Sequence, residues 1–220
     1  MKKNSLFILL FMGISSIVFS QKYLPGKIKL KSGKVLQGLV KPPNDAYEKA
    51  IEYTTNESSE KIKHSSDEVE EVTVSIEGYE HKFVRKNVRM PKKKEPKMET
   101  DYRYSEKWLV VLVEGHTVLY AAGPLVKIKN DGQLRIKLNW NGNGVPPDIM
   151  FYLENEKLKI PTWTAFYSVA TAGQMKAFKF WTTRHFADNT ELVKRIENEE
   201  FNVVEIADVV SAYNNWKVKK

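Results

Sequence analysis

The sequence predicts an α+β protein: an antiparallel β-sandwich or barrel-like body followed by a small C-terminal helical segment. Three observations predict it. Apolar and polar residues alternate with the two-residue period of half-buried strands over much of residues 27–153. Turn-forming residues interrupt that alternation about every ten positions, as in antiparallel sandwiches and barrels. From Pro161 onward the apolar period lengthens to that of amphipathic helices.

Lys27-Ile28-Lys29-Leu30-Lys31 alternates strictly, Ser32-Gly33 turns the chain, and Lys34 to Val40 returns as the second arm of a hairpin. Pro42-Pro43-Asn44-Asp45 stops that arm, because proline has no N–H for a ladder. Ile51 to Thr54 and Lys61 to His64 form a second pair around the polar Asn56–Ser59 turn. Val69 to Ile76 then turns at Gly78 into Tyr79 to Val88. The charge-rich stretch opening with Met90-Pro91-Lys92-Lys93-Lys94-Glu95-Pro96-Lys97-Met98 reads as an inter-sheet loop over 90–106. Strands resume at Trp108 to Val113, Thr117 to Ala121, Leu125 to Lys129, Gln133 to Leu138 and Ile149 to Leu153. Gly115, Gly123-Pro124, Asn130-Asp131-Gly132 and Asn141-Gly142-Asn143-Gly144 separate them.

The helical region has three apolar stripes. Thr171 with Gln174 offers a capping box ahead of Met175, Phe178 and Trp181 or Thr182. Asp188 with Glu191 repeats the cap logic ahead of Leu192 and Ile196. Asn202 with Glu205 repeats it again, followed by Val203, Ile206, Val210 and Tyr213.

Ahead of the body, Lys2 and Lys3 lead into an apolar run that closes on Val18 and Ser20 before Gln21. A basic start, a short apolar run and small residues at the exit are the layout of a secretory signal peptide. The run is about 14 residues, diluted by Gly13, Ser15 and Ser16, against the roughly 20 that a membrane span needs. The expected organisation is a signal peptide over 1–20, a β-rich body over 21–160 and a helical C-terminal region over 161–220. Export to the periplasm, cell surface or medium follows, with no transmembrane span in the mature chain.

Cysteine is absent. That excludes disulfides, a thiol nucleophile, thiolate metal sites and a lipid-bearing cysteine. The net charge is +8; without Lys2 and Lys3 it is +6, from 33 Lys and Arg against 27 Asp and Glu. Such an excess favours acidic partners, namely a protein, polysaccharide or lipid surface of the envelope. Nucleic acid is not expected in that compartment.

Motifs for catalysis are missing. His64, His81, His116 and His185 stand too far apart along the chain for paired imidazoles on one ion, and Asp67 to Glu71 lacks a calcium-loop glycine. No Gly-x-Ser-x-Gly elbow follows residue 20, and Asn141 to Gly144 lacks the lysine of a phosphate loop. No catalytic residue, metal ligand or cofactor is assigned. Two groups stand out instead. Arg85, Lys86, Arg89, Lys92, Lys93, Lys94 and Lys97 form a basic stretch suited to an acidic partner. Trp140 and Trp163, in an aromatic-rich region, are candidates for stacking on sugar rings.

The tail His185-Phe186-Ala187-Asp188-Asn189-Thr190-Glu191-Leu192-Val193, then Lys194 to Asn198, then Val210 to Tyr213-Asn214, resembles one recurring in exported proteins of Bacteroidota. Gly26-Lys27-Ile28, Ser32-Gly33 and Gly38-Leu39-Val40 are similar to an early strand–turn–strand of those proteins, and the Ser20-Gln21 exit is similar to theirs. The resemblance implies origin and architecture, and supplies no site residue. The function expected is an exported, non-catalytic binding or envelope-assembly module. The alternative is a carbohydrate-binding or carbohydrate-active protein using exposed aromatics.

Overall fold

The computed structural model describes residues 23–76, 78–92, 97, 99–122, 126–128, 134–136, 149–168 and 172–220. The expected signal peptide and residues 123–125, 129–133 and 137–148, which hold expected turns and the ends of the strands expected at Leu125 to Lys129 and Gln133 to Leu138, lie outside them. Ten strands form one sheet: β1 (Leu24–Leu30), β2 (Val35–Lys41), β3 (Ala50–Thr54), β4 (Ile62–Ser65), β5 (Val69–Ile76), β6 (Tyr79–Pro91), β7 (Tyr102–Val113), β8 (Thr117–Ala122), β11 (Ile149–Asn155) and β12 (Thr162–Tyr167). Between them β9 (Val126–Ile128) and β10 (Leu134–Ile136) pair as a separate ladder. Helices α1 (Gln174–His185), α2 (Thr190–Glu197) and α3 (Ile206–Val218) complete the chain. The class is the predicted α+β.

The strands of the sheet run in the order β12-β11-β8-β7-β6-β5-β1-β2-β3-β4, antiparallel between neighbours. One further contact is parallel: Thr162 on β12 stands opposite Arg89 on β6, and the Arg89 N–H donates to the Pro161 carbonyl at 3.0 Å. That contact closes β6, β7, β8, β11 and β12 into a five-stranded barrel, while β5, β1, β2, β3 and β4 continue from β6.

Strand alternation sorts the side chains into three cores. Val88, Leu109, Tyr120, Ala122 and Tyr152 fill the barrel, plugged by Ala46. The opposite faces of β8, β11 and β12 present Leu119, Ala121, Ile149, Phe151, Leu153 and Ala165 to the helices, which answer with Phe178, Phe186, Leu192, Ile196, Ile206 and Val210. Ile28, Val40, Ile51, Val69, Val72 and Val74 form the third core, closed by Trp108 from β7. Trp108 donates its indole N–H to Ser66 Oγ at 3.0 Å and its backbone N–H to the Ala46 carbonyl at 2.8 Å.

The glycines of the early strand–turn–strand have a shared reason. Gly26 and Gly38 are cross-strand partners in β1 and β2. A methyl group at Gly26 would overlap the Thr73 carbonyl, and one at Gly38 would overlap the Thr54 carbonyl and crowd the Tyr53 ring. Tyr53 lies across this pair and donates its hydroxyl to the Gln37 carbonyl at 2.8 Å. The tail has an equally local logic. The Asn214 amide accepts from the Thr117 N–H at 2.8 Å and donates to the Thr117 carbonyl at 2.8 Å, pinning α3 to the start of β8.

Three expectations change. The inter-sheet loop over 90–106 shortens, because β6 runs to Pro91 and β7 resumes at Tyr102. A polar strand is legible only through its partner, and here the two charge-rich arms are partners. Helix does not begin at 161: Thr162–Tyr167 is β12, and its threonines and aromatics suit a strand. Of the three caps, Asn202 with Glu205 forms the full capping box. In α2 the cap is Asn189, which accepts from the Leu192 N–H at 3.1 Å, while Asp188 accepts from Tyr213. α1 starts after Gly173 at positive φ, and Gln174 Oε1 accepts instead from the Ser168 N–H; Thr171 lies outside the described residues.

Gly38→Ala should therefore cost about 1–3 kcal/mol through overpacking, read as a lower urea midpoint; an unchanged midpoint would contradict the tight strand crossing. Asn214→Leu, which strips both Thr117 backbone groups of their partner, should cost about 3 kcal/mol in the same measurement.

Candidate functional site

Residues 82–107, the greater part of the β6–β7 hairpin, carry ten Lys and Arg against four Asp and Glu, an excess of six. From residue 21 onward the whole chain carries 33 against 27, also an excess of six. Glu80 near the start of β6 lowers the excess of the full hairpin, residues 79–113, to five, so one hairpin holds five of the six net positive charges.

Strand alternation divides the predicted basic stretch. Arg85 and Arg89 point to the face shared with Trp108, and Lys86 points to the opposite face, into the end of the barrel. The Arg85 side chain is only 6% exposed; it bonds Asp67 at 2.9 Å and Glu106 at 3.1 Å and holds the third core to the hairpin. Arg89 donates through Nε to Thr162 Oγ1 at 2.8 Å and lies over the Tyr102 ring. Lys92 is exposed and donates to the Thr100 carbonyl, and Lys97 is exposed beside Asp101. Lys93 and Lys94 lie outside the described residues. Two of these seven residues are thus built into the fold, Lys86 enters the barrel, and Lys92 and Lys97 stand on the surface.

At the barrel end the structure adds residues that sequence reasoning missed. Lys107 on β7 is the direct cross-strand partner of Lys86, so both ammonium groups leave the same face of the hairpin. Like charges directly opposite one another repel. Glu154 Oε2 on β11 answers one of them: it accepts from Lys86 Nζ at 2.6 Å and from the Tyr120 hydroxyl at 2.5 Å. Lys86 also lies over the Tyr120 ring. Lys107 is 8% exposed and bonds the hydroxyl of Tyr47, whose ring sits 4.0 Å from its nitrogen. Burial, then the hydrogen bond to Glu154 and its charge, push the Tyr120 phenol well above its ordinary range. Burial does the same to Tyr152. Both tyrosines stay neutral donors, and Glu154 Oε2 is already doubly engaged. The cluster is equipped to hold oxyanions.

The signal for Lys107 was present as a lysine heading an otherwise apolar strand, Lys107-Trp108-Leu109-Val110-Val111-Leu112. Its importance emerges only from the register that puts Lys86 opposite.

The aromatic candidates are placed differently. Trp140 lies outside the described residues. Trp163 is half-buried, stacked on Phe166 at 6.3 Å and edge-on to Trp181 at 6.0 Å. A register shift between Phe151 and Tyr152 turns its ring towards the barrel, whereas Ala165 faces the helices. Trp181 in turn stacks on His185 at 6.2 Å. Burial holds the His185 pKa down at about 4, assisted by the charges of Lys157 and Arg89.

A mixed-charge groove of about 490 Å³ runs over β1, β2 and β5, lined by Lys27, Gln37, Thr55, Thr73, Ser75 and Glu80. Among the described residues no group of three or more histidines and carboxylates could hold a metal ion, and no helix is long and apolar enough to cross a membrane. No family model matches the chain, and neither does any curated protein or solved structure compared with it.

His185 sets a pH dependence. Its folded pKa lies below the unfolded value of 6.5, so unfolded chains take up the proton first as pH falls. Its contribution is complete above about pH 6.5 and is lost as pH falls towards 4, at most about 3 kcal/mol. Urea unfolding at pH 7 and pH 4.5 should show this loss, and His185→Gln should show a smaller one. The residual slope belongs partly to His81, whose pKa burial also lowers.

Proposed function

We propose that this chain is an exported, non-catalytic binding or assembly module of the cell envelope that docks an acidic partner through its β6–β7 hairpin. The observation that carries the reading is that this one hairpin bears five of the six net positive charges of the chain after residue 20. Concentrated charge of one sign steers an oppositely charged surface and fixes its orientation on arrival. The signal-like leader and the resemblance of the tail to exported Bacteroidota proteins support the address. The glycine pair, the Asn189 cap and the Asn214 clamp give the matching motifs structural work, as expected of a scaffold.

A carbohydrate-binding role through Trp163 has weaker support, because the indole is wedged between Phe166 and Trp181 rather than presented as an open platform.

Reversing the charge of Lys92, Lys93, Lys94 and Lys97 to glutamate should abolish capture of the partner from a native envelope extract, and moderate salt should weaken capture by the unaltered chain. Capture that is indifferent to both would sink the reading.

A further inference from the structure

The barrel end poses a charge problem that the described residues solve only in part. Lys86 and Lys107 emerge side by side from β6 and β7, yet one carboxylate, Glu154, is available between them, and it is bonded to Lys86 and Tyr120. Among the described residues no carboxylate lies within ion-pair distance of Lys107, whose nitrogen is met only by the hydroxyl and ring of Tyr47. Burying an ammonium group with a single neutral partner is costly.

Tyr47 is built as a removable roof. Its backbone is fixed, because its own N–H bonds Asp45 at 2.5 Å, the neighbouring Ala46 carbonyl accepts from Trp108, and the Glu48 carbonyl accepts from Ser66. Tyr47 is 58% exposed, and among the described residues its hydroxyl has no hydrogen bond other than the one to Lys107. The Tyr47 side chain, which meets the Lys107 nitrogen through its hydroxyl and its ring, is the group that an incoming ligand would displace.

We propose that Lys107, with Lys86 beside it and Tyr47 as its roof, is the subsite that receives one carboxylate of an acidic protein segment docked on the β6–β7 hairpin. This rests on the hairpin reading above and names the partner's chemistry. The occupant follows from the arrangement next door, where Glu154 already shows a carboxylate held by one of the two lysines and a tyrosine hydroxyl. The incoming carboxylate makes the equivalent bonds to Lys107 and supplies the negative charge that the pair lacks. Lys92 and Lys97 stand exposed further along the same hairpin, so an acidic segment with one carboxylate seated has further cations along its path.

The probe is a short oligo-glutamate peptide, titrated into the full chain at low salt with tyrosine and tryptophan fluorescence and amide NMR as readouts. Binding to the unaltered chain should perturb residues around Tyr47 and Lys107. Lys107→Met, which keeps the apolar stem, should bind about tenfold more weakly, the loss of one charge-assisted bond. Tyr47→Ala, a change at an exposed side chain that leaves the core intact, should bind a few-fold more tightly, since the roof no longer competes. If the peptide binds but both variants bind as the parent does, the subsite is wrong while the hairpin reading stands. If the peptide does not bind the parent chain at all, the hairpin reading fails as well. Inorganic phosphate competing at Lys107 at concentrations below those of the peptide would overturn the carboxylate assignment.

Discussion

The pairing of β6 with β7 is the constraint on which the other parts of this molecule depend. Nine residue pairs, from Phe83–Val110 to Pro91–Tyr102, hold the two strands in register. Near the Gly78 turn, β6 gives its other edge to β5 and so carries the third core; further along, the same edge meets β12 and closes the barrel. A strand that serves two neighbours in succession must be long, and long antiparallel strands twist. Alternation along the paired strands sends Arg85 and Trp108 to the third core and Val88 and Leu109 into the barrel.

The same register creates the electrostatics. A hairpin must present opposed residues on one face, so Lys86 and Lys107 cannot avoid each other once Phe83 and Val110 are paired. A slip of β7 by one residue would relieve the lysines and would also turn Leu109 out of the barrel. Apolar burial along the whole strand is worth more than one cross-strand charge repulsion, so the register stands and the lysines are accommodated by Glu154 and by Tyr47. The charged end of the barrel is a consequence of how its core is packed.

The helices contribute closure of a different kind. The outer face of β8, β11 and β12 is apolar and would be exposed without them. Their attachment is not left to apolar contact alone. Asn214 imitates a neighbouring strand at Thr117, and Tyr213 and Lys217 both bond Asp188 in the connection between α1 and α2. Directional bonds fix where the helices sit, and the apolar face supplies the energy for holding them there.

Much of this was legible in the residues themselves. Two-residue alternation marked β1, β2, β5 and β8, and the Asn202–Glu205 box marked the entry to α3, because these patterns act over a few residues and need no distant partner. The lower end of the β6–β7 hairpin escaped, since Met90-Pro91 and Tyr102-Arg103-Tyr104 look like loop until each is set against the other. β12 escaped for the same reason. The composition determined how much positive charge the chain carries; only the tertiary structure decided that Arg85 would be spent on Asp67 and Glu106, that Lys86 would turn inward to Glu154, and that Lys107 would stand beside it under Tyr47. Charge is a property of residues one at a time, whereas which charges meet is set by register and closure, which join positions far apart in the chain.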